Sequence, residues 1–160
     1  NISEAVRALF TSLPPDLQLV AACGKNTALS ARLRRLSLPA DRLRVLGYVT
    51  NMHEQMAAAD VVVTNGAGVT VLEALCTSRP VVAFSPLAGH GSASTNELVR
   101  RGLALRADDV PALVSSVGRL HADETLRNRM SHAGEAWSAG RDLRDMVRQM
   151  EELFVGHPDR

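Results

Sequence analysis

Thr64-Asn65-Gly66-Ala67-Gly68-Val69-Thr70-Val71-Leu72-Glu73-Ala74 follows directly on Val61-Val62-Val63. The three valines read as a buried strand, the two glycines as its turn, and the residues from Val69 onward as the opening of a helix. A strand that turns over glycine into a helix is the repeating joint of an α/β sheet. The same joint recurs outward along the chain: β-rich runs at Leu17 to Cys23, Leu43 to Val49, Val81 to Phe84 and, more weakly, Leu103 to Leu105 are separated by stretches with helical spacing. Strands separated by helices predict a Rossmann-like, doubly wound parallel sheet covered on both faces. Beyond residue 105 the strands stop. Leu113, Val114, Val117 and Leu120 mark one amphipathic helix, Leu126 and Met130 a second, and Leu143, Met146, Val147, Met150, Leu153 and Phe154 a third. The expectation is one domain over residues 1–160, with an α/β core at 17–105 and a helical tail at 106–156. At the other end, Asn1-Ile2-Ser3-Glu4 reads as a helix start with Ser3 as a cap, so the first strand of the sheet and its loop are expected to be missing.

Composition bounds the function. The chain has 160 residues, 46% hydrophobic and 22% charged, with a formal charge of +1, which fits a globular domain and gives no reason to invoke nucleic acid. Basic character is local: Arg32, Arg34, Arg35, Arg42 and Arg44 lie close together, readable either as a solvated helix and loop face or as a surface for anionic lipid headgroups. No apolar run approaches the ~20 residues of a membrane span and no signal peptide opens the sequence, so a cytoplasmic location, peripheral at the inner face of a membrane if lipid is involved, is expected. Cys23 and Cys76 sit in apolar segments without CxxC spacing and read as reduced core residues. No metal site and no resident cofactor are expected.

In an open α/β sheet, ligands bind beyond the carboxyl ends of the strands. Gly66 and Gly68 remove side chains there, so the backbone N–H groups of residues 67–70 can approach an anion with help from the helix dipole, and Thr70 adds a hydroxyl. Glu73, an acceptor only, would repel a phosphate at close range but can accept from two ribose hydroxyls. Diphosphate at the turn and ribose one helical turn on describe a nucleotide. The plainer alternative is a tight strand-to-helix turn with a first-turn carboxylate that suits the dipole. Other loops expected on the same edge are Cys23-Gly24-Lys25-Asn26, Thr50-Asn51-Met52, and a long polar loop from Ser85 to Glu97. Lys25, the single lysine among the 18 basic residues, puts a compact charge beside a glycine, which fits a diphosphate. A Walker P-loop is excluded, because GxxxxGK followed by Ser or Thr is not matched and Asn26 stands where the hydroxyl would be.

CGKN at 23–26, together with VLGYVTNMHEQMAAADVVVTNGAGVTVLEALCTSRPVVAFSPLAG, resembles the C-terminal, nucleotide-sugar-binding domain of GT-B glycosyltransferases. The similarity is to the branch with monogalactosyldiacylglycerol synthase, the processive diacylglycerol glucosyltransferases and the lipid-linked peptidoglycan GlcNAc transferase, and it runs over about residues 17–104. The resemblance implies a UDP-sugar as donor substrate. Val49 would contact the uracil through its backbone, with Met52 against the base. Gly66, Ala67, Gly68, Val69 and Thr70 would receive the diphosphate, and Glu73 would hold the ribose. Gly24, Lys25 and Asn26 would lie near the phosphates. His90 and Gly91 stand where the family has a polar pair for the sugar hydroxyls, and Ser92, Thr95 and Asn96 are further candidates. The implied reaction is inverting, metal-independent transfer to a lipid or lipid-linked acceptor. Its general base and acceptor site belong to an N-terminal domain or partner subunit, so no catalytic residue is expected in this chain and it should be inactive alone.

Three other readings stay open. A GT-B-like UDP-sugar 2-epimerase shares the fold but needs carboxylates near the sugar, and the segment AGHGSASTN supplies none before Glu97. A non-catalytic nucleotide-binding module or partner subunit is compatible with the arginine cluster. A Rossmann-type dehydrogenase domain lacks the combination of GxGxxG and a later acidic residue.

Overall fold

A computed structural model describes residues 2–39, 41–65, 68–86, 90–140, 145 and 148. Contacts divide the chain into two compact units, Asn1–Met52 and His53–Arg160.

The first unit runs α1 (Ile2–Ser12), β1 (Leu19–Ala22), α2 (Thr27–Arg34) and β2 (Leu43–Leu46). Ala5, Val6, Leu9 and Phe10 recur at helical spacing and are the buried stripe of α1. Ser3 lies inside that helix and is buried, so it does not serve as the cap that its position suggested. The two strands pair in parallel from Leu19↔Leu43 to Ala22↔Leu46. Val6, Phe10, Cys23, Leu29 and Leu33 form the core, with Leu19, Ala21, Leu43 and Val45 packed against it from alternate positions of the strands. The second strand ends at Leu46, three residues earlier than its apolar run predicts, because Gly47 and Tyr48 turn out to solvent.

The second unit contains α3 (Met52–Ala57, which starts at the junction), β3 (Val62–Thr64), α4 (Val69–Cys76), β4 (Val81–Phe84), α5 (His90–Arg100), β5 (Ala104–Ala107), α6 (Val110–Ala122) and α7 (Glu124–Ser138). Its sheet is parallel in the order β3-β4-β5, with Val62↔Val81 and Val81↔Ala104 in register. Strand β4 is central and buried on both faces, which is why it reads as an unbroken apolar run. Val71, Leu72, Ala74 and Leu75 form the buried side of α4, and α7 packs on that helix at Gly134, where an added Cβ would stand 3.4 Å from Leu75 Cδ2.

The parallel α/β class and the helical tail are present, with the tail described through α7; the third tail helix, drawn from Leu143, Met146, Val147, Met150, Leu153 and Phe154, lies outside the described residues. Two expectations change. The described strands form two sheets, β1-β2 and β3-β4-β5, one in each unit. The segment expected to be a long loop from Ser85 to Glu97 is helical from His90 onward. Ser94, Thr95 and Leu98 are the buried residues there, at i, i+1 and i+4. Small polar side chains look like loop in sequence, yet inside a helix they pack as closely as alanine once their hydroxyls are satisfied.

Candidate nucleotide site

Helix α4 begins at Gly68 with φ −110° and ψ −158°, and no side chain caps it. Helices α2, α6 and α7 differ: Asn26 Oδ1 accepts from Leu29 N–H, Asp109 from Ala112 N–H and Asp123 from Leu126 N–H, at 2.8 to 2.9 Å. The first bonds of α4 run from Val71 N–H (3.0 Å) and Leu72 N–H (3.4 Å) to Gly68 O, so the amides of Gly68, Val69 and Thr70 precede the ladder. Gly68, Val69 and Thr70 are all exposed, and Val69 presents half of its surface to solvent. Among the described residues nothing lies within 4 Å of a Cβ built on Gly68, and its extended φ is open to any residue. Neither backbone strain nor packing by the described residues therefore accounts for a glycine here. Glu73 follows in the second turn and is half-buried. Gly66 and Ala67, assigned to the diphosphate, lie outside the described residues.

Cys76, three residues past Glu73 on the same helix face, is exposed, whereas its apolar neighbourhood in sequence predicted burial. Its position on the helix decides this: Leu72 and Leu75 point inward and the last residue of α4 does not. Partial desolvation, and after it the Glu73 carboxylate, hold the Cys76 thiol above its ordinary pKa. Cys23 is buried, and burial pushes its thiol up against a smaller opposing effect of Arg34.

In the first unit, Gly24 takes φ +55°, the left-handed region that glycine enters without penalty. That turn is closed by Asn26 N–H to Cys23 O at 3.0 Å. Asn26 commits its side-chain carbonyl to capping α2. Lys25 is exposed, and its Nζ lies 5.7 Å from the centroid of the Tyr48 ring. Val49 and Met52 are half-buried, with Met52 the first residue of α3. Tyr48 precedes Val49 in the quoted motif without a role of its own there; its exposure beside the only lysine is a tertiary fact.

The arginine cluster is partly structural. Arg42 donates from Nε to Leu17 O (3.1 Å) and from Nη2 to Pro14 O (3.2 Å), with its guanidinium 4.8 Å from the centre of Phe10, and so ties the segment between α1 and β1 to β2. Arg34 donates to Val45 O at 3.3 Å. Arg32, Arg35 and Arg44 are exposed.

On α5, His90, Gly91 and Ser92 are helical in backbone, and their side chains lie outside the described residues. Thr95 is fully buried, facing the protein rather than solvent. Asn96 is exposed and its Oδ1 accepts from Arg106 Nη1 at 2.8 Å. Arg106 also donates from Nε to both oxygens of Asp108, at 2.8 and 3.0 Å, which lowers the Asp108 pKa and raises that of Arg106. Before β5 begins, Ser85 stands at the end of β4 with φ +47°, uncommon for a residue with a side chain, and donates its N–H to Ala107 O at 2.7 Å. Among the described residues no group of three or more His, Cys, Asp or Glu side chains gathers, and no helix is long and apolar enough to cross a membrane.

Comparison with known proteins gives a consistent set of relatives. The profile of the family described as glycosyl transferases group 1 matches residues 2–123. The processive diacylglycerol β-glucosyltransferase of Bacillus subtilis is 35% identical over 133 residues, covering 81% of this chain and 35% of that protein. Among solved structures, WaaG, a glycosyltransferase involved in lipopolysaccharide biosynthesis, superposes with a TM-score of 0.71 at 17% identity, over 98% of this chain and 44% of its own. MnaA of S. aureus, solved with UDP, gives a TM-score of 0.70 at 20% identity, over 99% of this chain and 43% of its own. At these identities the structures establish the fold, which is that of a GT-B C-terminal domain. The chain spans about a third of the length of the curated relatives it matches.

Proposed function

The chain belongs to the glycosyl transferases group 1 family, and we propose that within it these residues bind the nucleotide-sugar donor, a UDP-sugar, for transfer to a lipid or lipid-linked acceptor. One observation carries the reading: α4 starts at an exposed glycine that no described side chain caps and that neither its backbone conformation nor the packing of the described residues requires. A glycine where the fold has room for a side chain suits a ligand that comes close to the backbone there. Amides ahead of the helical ladder and the positive end of the helix dipole suit the diphosphate in particular.

In this reading Gly66 to Thr70 receive the diphosphate, Glu73 accepts from the ribose hydroxyls, Lys25 adds positive charge, and Val49 and Met52 serve the base. Asn26 contributes by fixing the turn, since its side chain is spent on α2. His90, Gly91, Ser92 and Asn96 are assigned to the sugar, and Thr95 to holding α5 from its buried side. During inverting transfer the acceptor hydroxyl attacks the anomeric carbon, the bond from that carbon to the diphosphate oxygen breaks, and the developing charge falls on the UDP leaving group. Backbone amides, the α4 dipole and Lys25 can absorb that charge without a metal ion. The general base and the acceptor site are assigned to a separate domain or partner subunit, and the acceptor, as in the diacylglycerol transferases, would put the work at the cytoplasmic face of a membrane.

Titration of the purified chain with UDP, UDP-glucose, UDP-GlcNAc, GDP and NAD, with Glu73→Ala alongside, tests this. The expected result is uridine-selective binding that weakens about ten- to a hundredfold in the variant, the range of a charge-assisted hydrogen bond. Binding of NAD in preference to UDP, or sugar transfer by this chain alone, contradicts the assignment.

A further inference from the structure

Tyr48 is an aromatic residue that no core accounts for: 70% of its surface is exposed. Lys25 Nζ lies 5.7 Å from its ring centroid, inside the range in which an ammonium is attracted to the face of an aromatic ring. The backbone under both residues is fixed. Cys23 N–H donates to Leu46 O at 2.9 Å, carrying the parallel ladder one step past β1. Gly24 then turns the chain at φ +55°, and Asn26 closes that turn through Cys23 O at 3.0 Å and caps α2 through Leu29 N–H at 2.9 Å. On the other strand, a Cβ on Gly47 would stand 3.9 Å from Gly24 O, so the residue before Tyr48 runs beside the turn that presents Lys25. With both attachment points set, the four-carbon stem of the lysine is the main freedom left, and ordering such a stem is costly in entropy.

We propose that Tyr48 is a positioning residue for Lys25: its ring holds the ammonium in place before the donor arrives, so that less ordering remains to be done when the anionic diphosphate binds. The inference rests on the donor-binding reading above and adds to it the residue that prepares the charge. The ring acts through its face, so the phenolic hydroxyl is dispensable and a phenylalanine or tryptophan serves as well.

The test compares UDP with uridine, which keeps the base and ribose and lacks the phosphates. Ligand-detected NMR and titration calorimetry are run on the unmodified chain and on Tyr48→Leu, Tyr48→Phe, Tyr48→Trp, Lys25→Ala and the double variant Lys25→Ala with Tyr48→Leu. Tyr48→Leu is expected to weaken UDP about two- to fivefold, the worth of an exposed cation–π contact, and to leave uridine unchanged. Tyr48→Phe and Tyr48→Trp should match the unmodified chain. The double variant should bind UDP no more weakly than Lys25→Ala, since the ring acts only through the lysine. Equal losses of UDP and uridine in Tyr48→Leu would assign the ring to the base and overturn the proposal, as would unchanged UDP affinity or additive effects in the double variant. Failure of the unmodified chain to bind UDP would instead bring down the donor-binding reading, and this inference with it.

Discussion

Two glycine turns lead from a parallel strand into a helix, one in each unit, and they are built differently. Gly24 sits at φ +55°, in a conformation that favours glycine, and the helix behind it is capped by Asn26. Gly68 sits in ordinary extended backbone with room for a side chain, and the helix behind it has no side-chain cap. The first turn is complete in itself. The second is left unfinished in the way that suits an incoming anion, which supports assigning the closest ligand contact to the start of α4. Residues that look alike in sequence thus stand in different settings: Gly24 in a left-handed turn, Gly68 in extended backbone ahead of an uncapped helix.

The contrast can be broken most forcefully from behind α4. At Gly134, where α7 meets that helix, an added Cβ already makes van der Waals contact with Leu75 at 3.4 to 3.5 Å, so the further carbons of Gly134→Leu crowd the same place. A loss of about 1–3 kcal/mol, as for overpacking elsewhere, is expected in urea unfolding. Unchanged stability would show that the α4–α7 packing does not brace the turn. Next in size, Gly24→Ala forces a left-handed alanine and should cost about 1–2 kcal/mol. Asn26→Ala, which removes the cap, should cost about 1 kcal/mol in the same measurement.

Gly68→Ala supplies the other half of the comparison. Stability should stay within about 0.5 kcal/mol of the parent, as for an unstrained exposed site, while UDP affinity falls about tenfold because the methyl occupies the approach to the amides. If Gly68→Ala proves as destabilising as Gly24→Ala with UDP binding intact, the two turns are the same device and the contrast disappears. The smallest effect concerns Cys76. Iodoacetamide should label it in the folded chain while Cys23 reacts only on unfolding. Glu73→Gln should speed that labelling modestly near pH 8, because removing the carboxylate lowers a thiol pKa that it helps to raise. The sign is specific: a slower reaction in Glu73→Gln would place the carboxylate away from the thiol.

The strands were legible because a buried parallel strand is an apolar, β-branched run whatever surrounds it. Val81 to Phe84 reads from sequence as it stands in the fold, and the glycine turn after β3 identified the candidate site. Helix α5 was not legible. His90 to Asn96 carries the small polar residues of a loop, and only the burial of Ser94, Thr95 and Leu98 on one face reveals a helix. Cys76 failed for a related reason: apolar neighbours in sequence do not say which way the last residue of a helix turns. Arg42 looked like part of a charged surface and is in large part a tie between backbone carbonyls and Phe10.

By itself the sequence determined the α/β alternation, the position of each glycine turn and the presence of Glu73 one to two turns into α4, because apolar periodicity and glycine placement are local properties written into neighbouring residues. Only the tertiary structure decided that the glycine of one turn stands in a left-handed conformation and that of the other does not, that Arg42 ties Leu17 and Pro14, and that Lys25 stands over Tyr48. Those depend on dihedral angles and on distances between residues far apart in the chain, which no local pattern encodes.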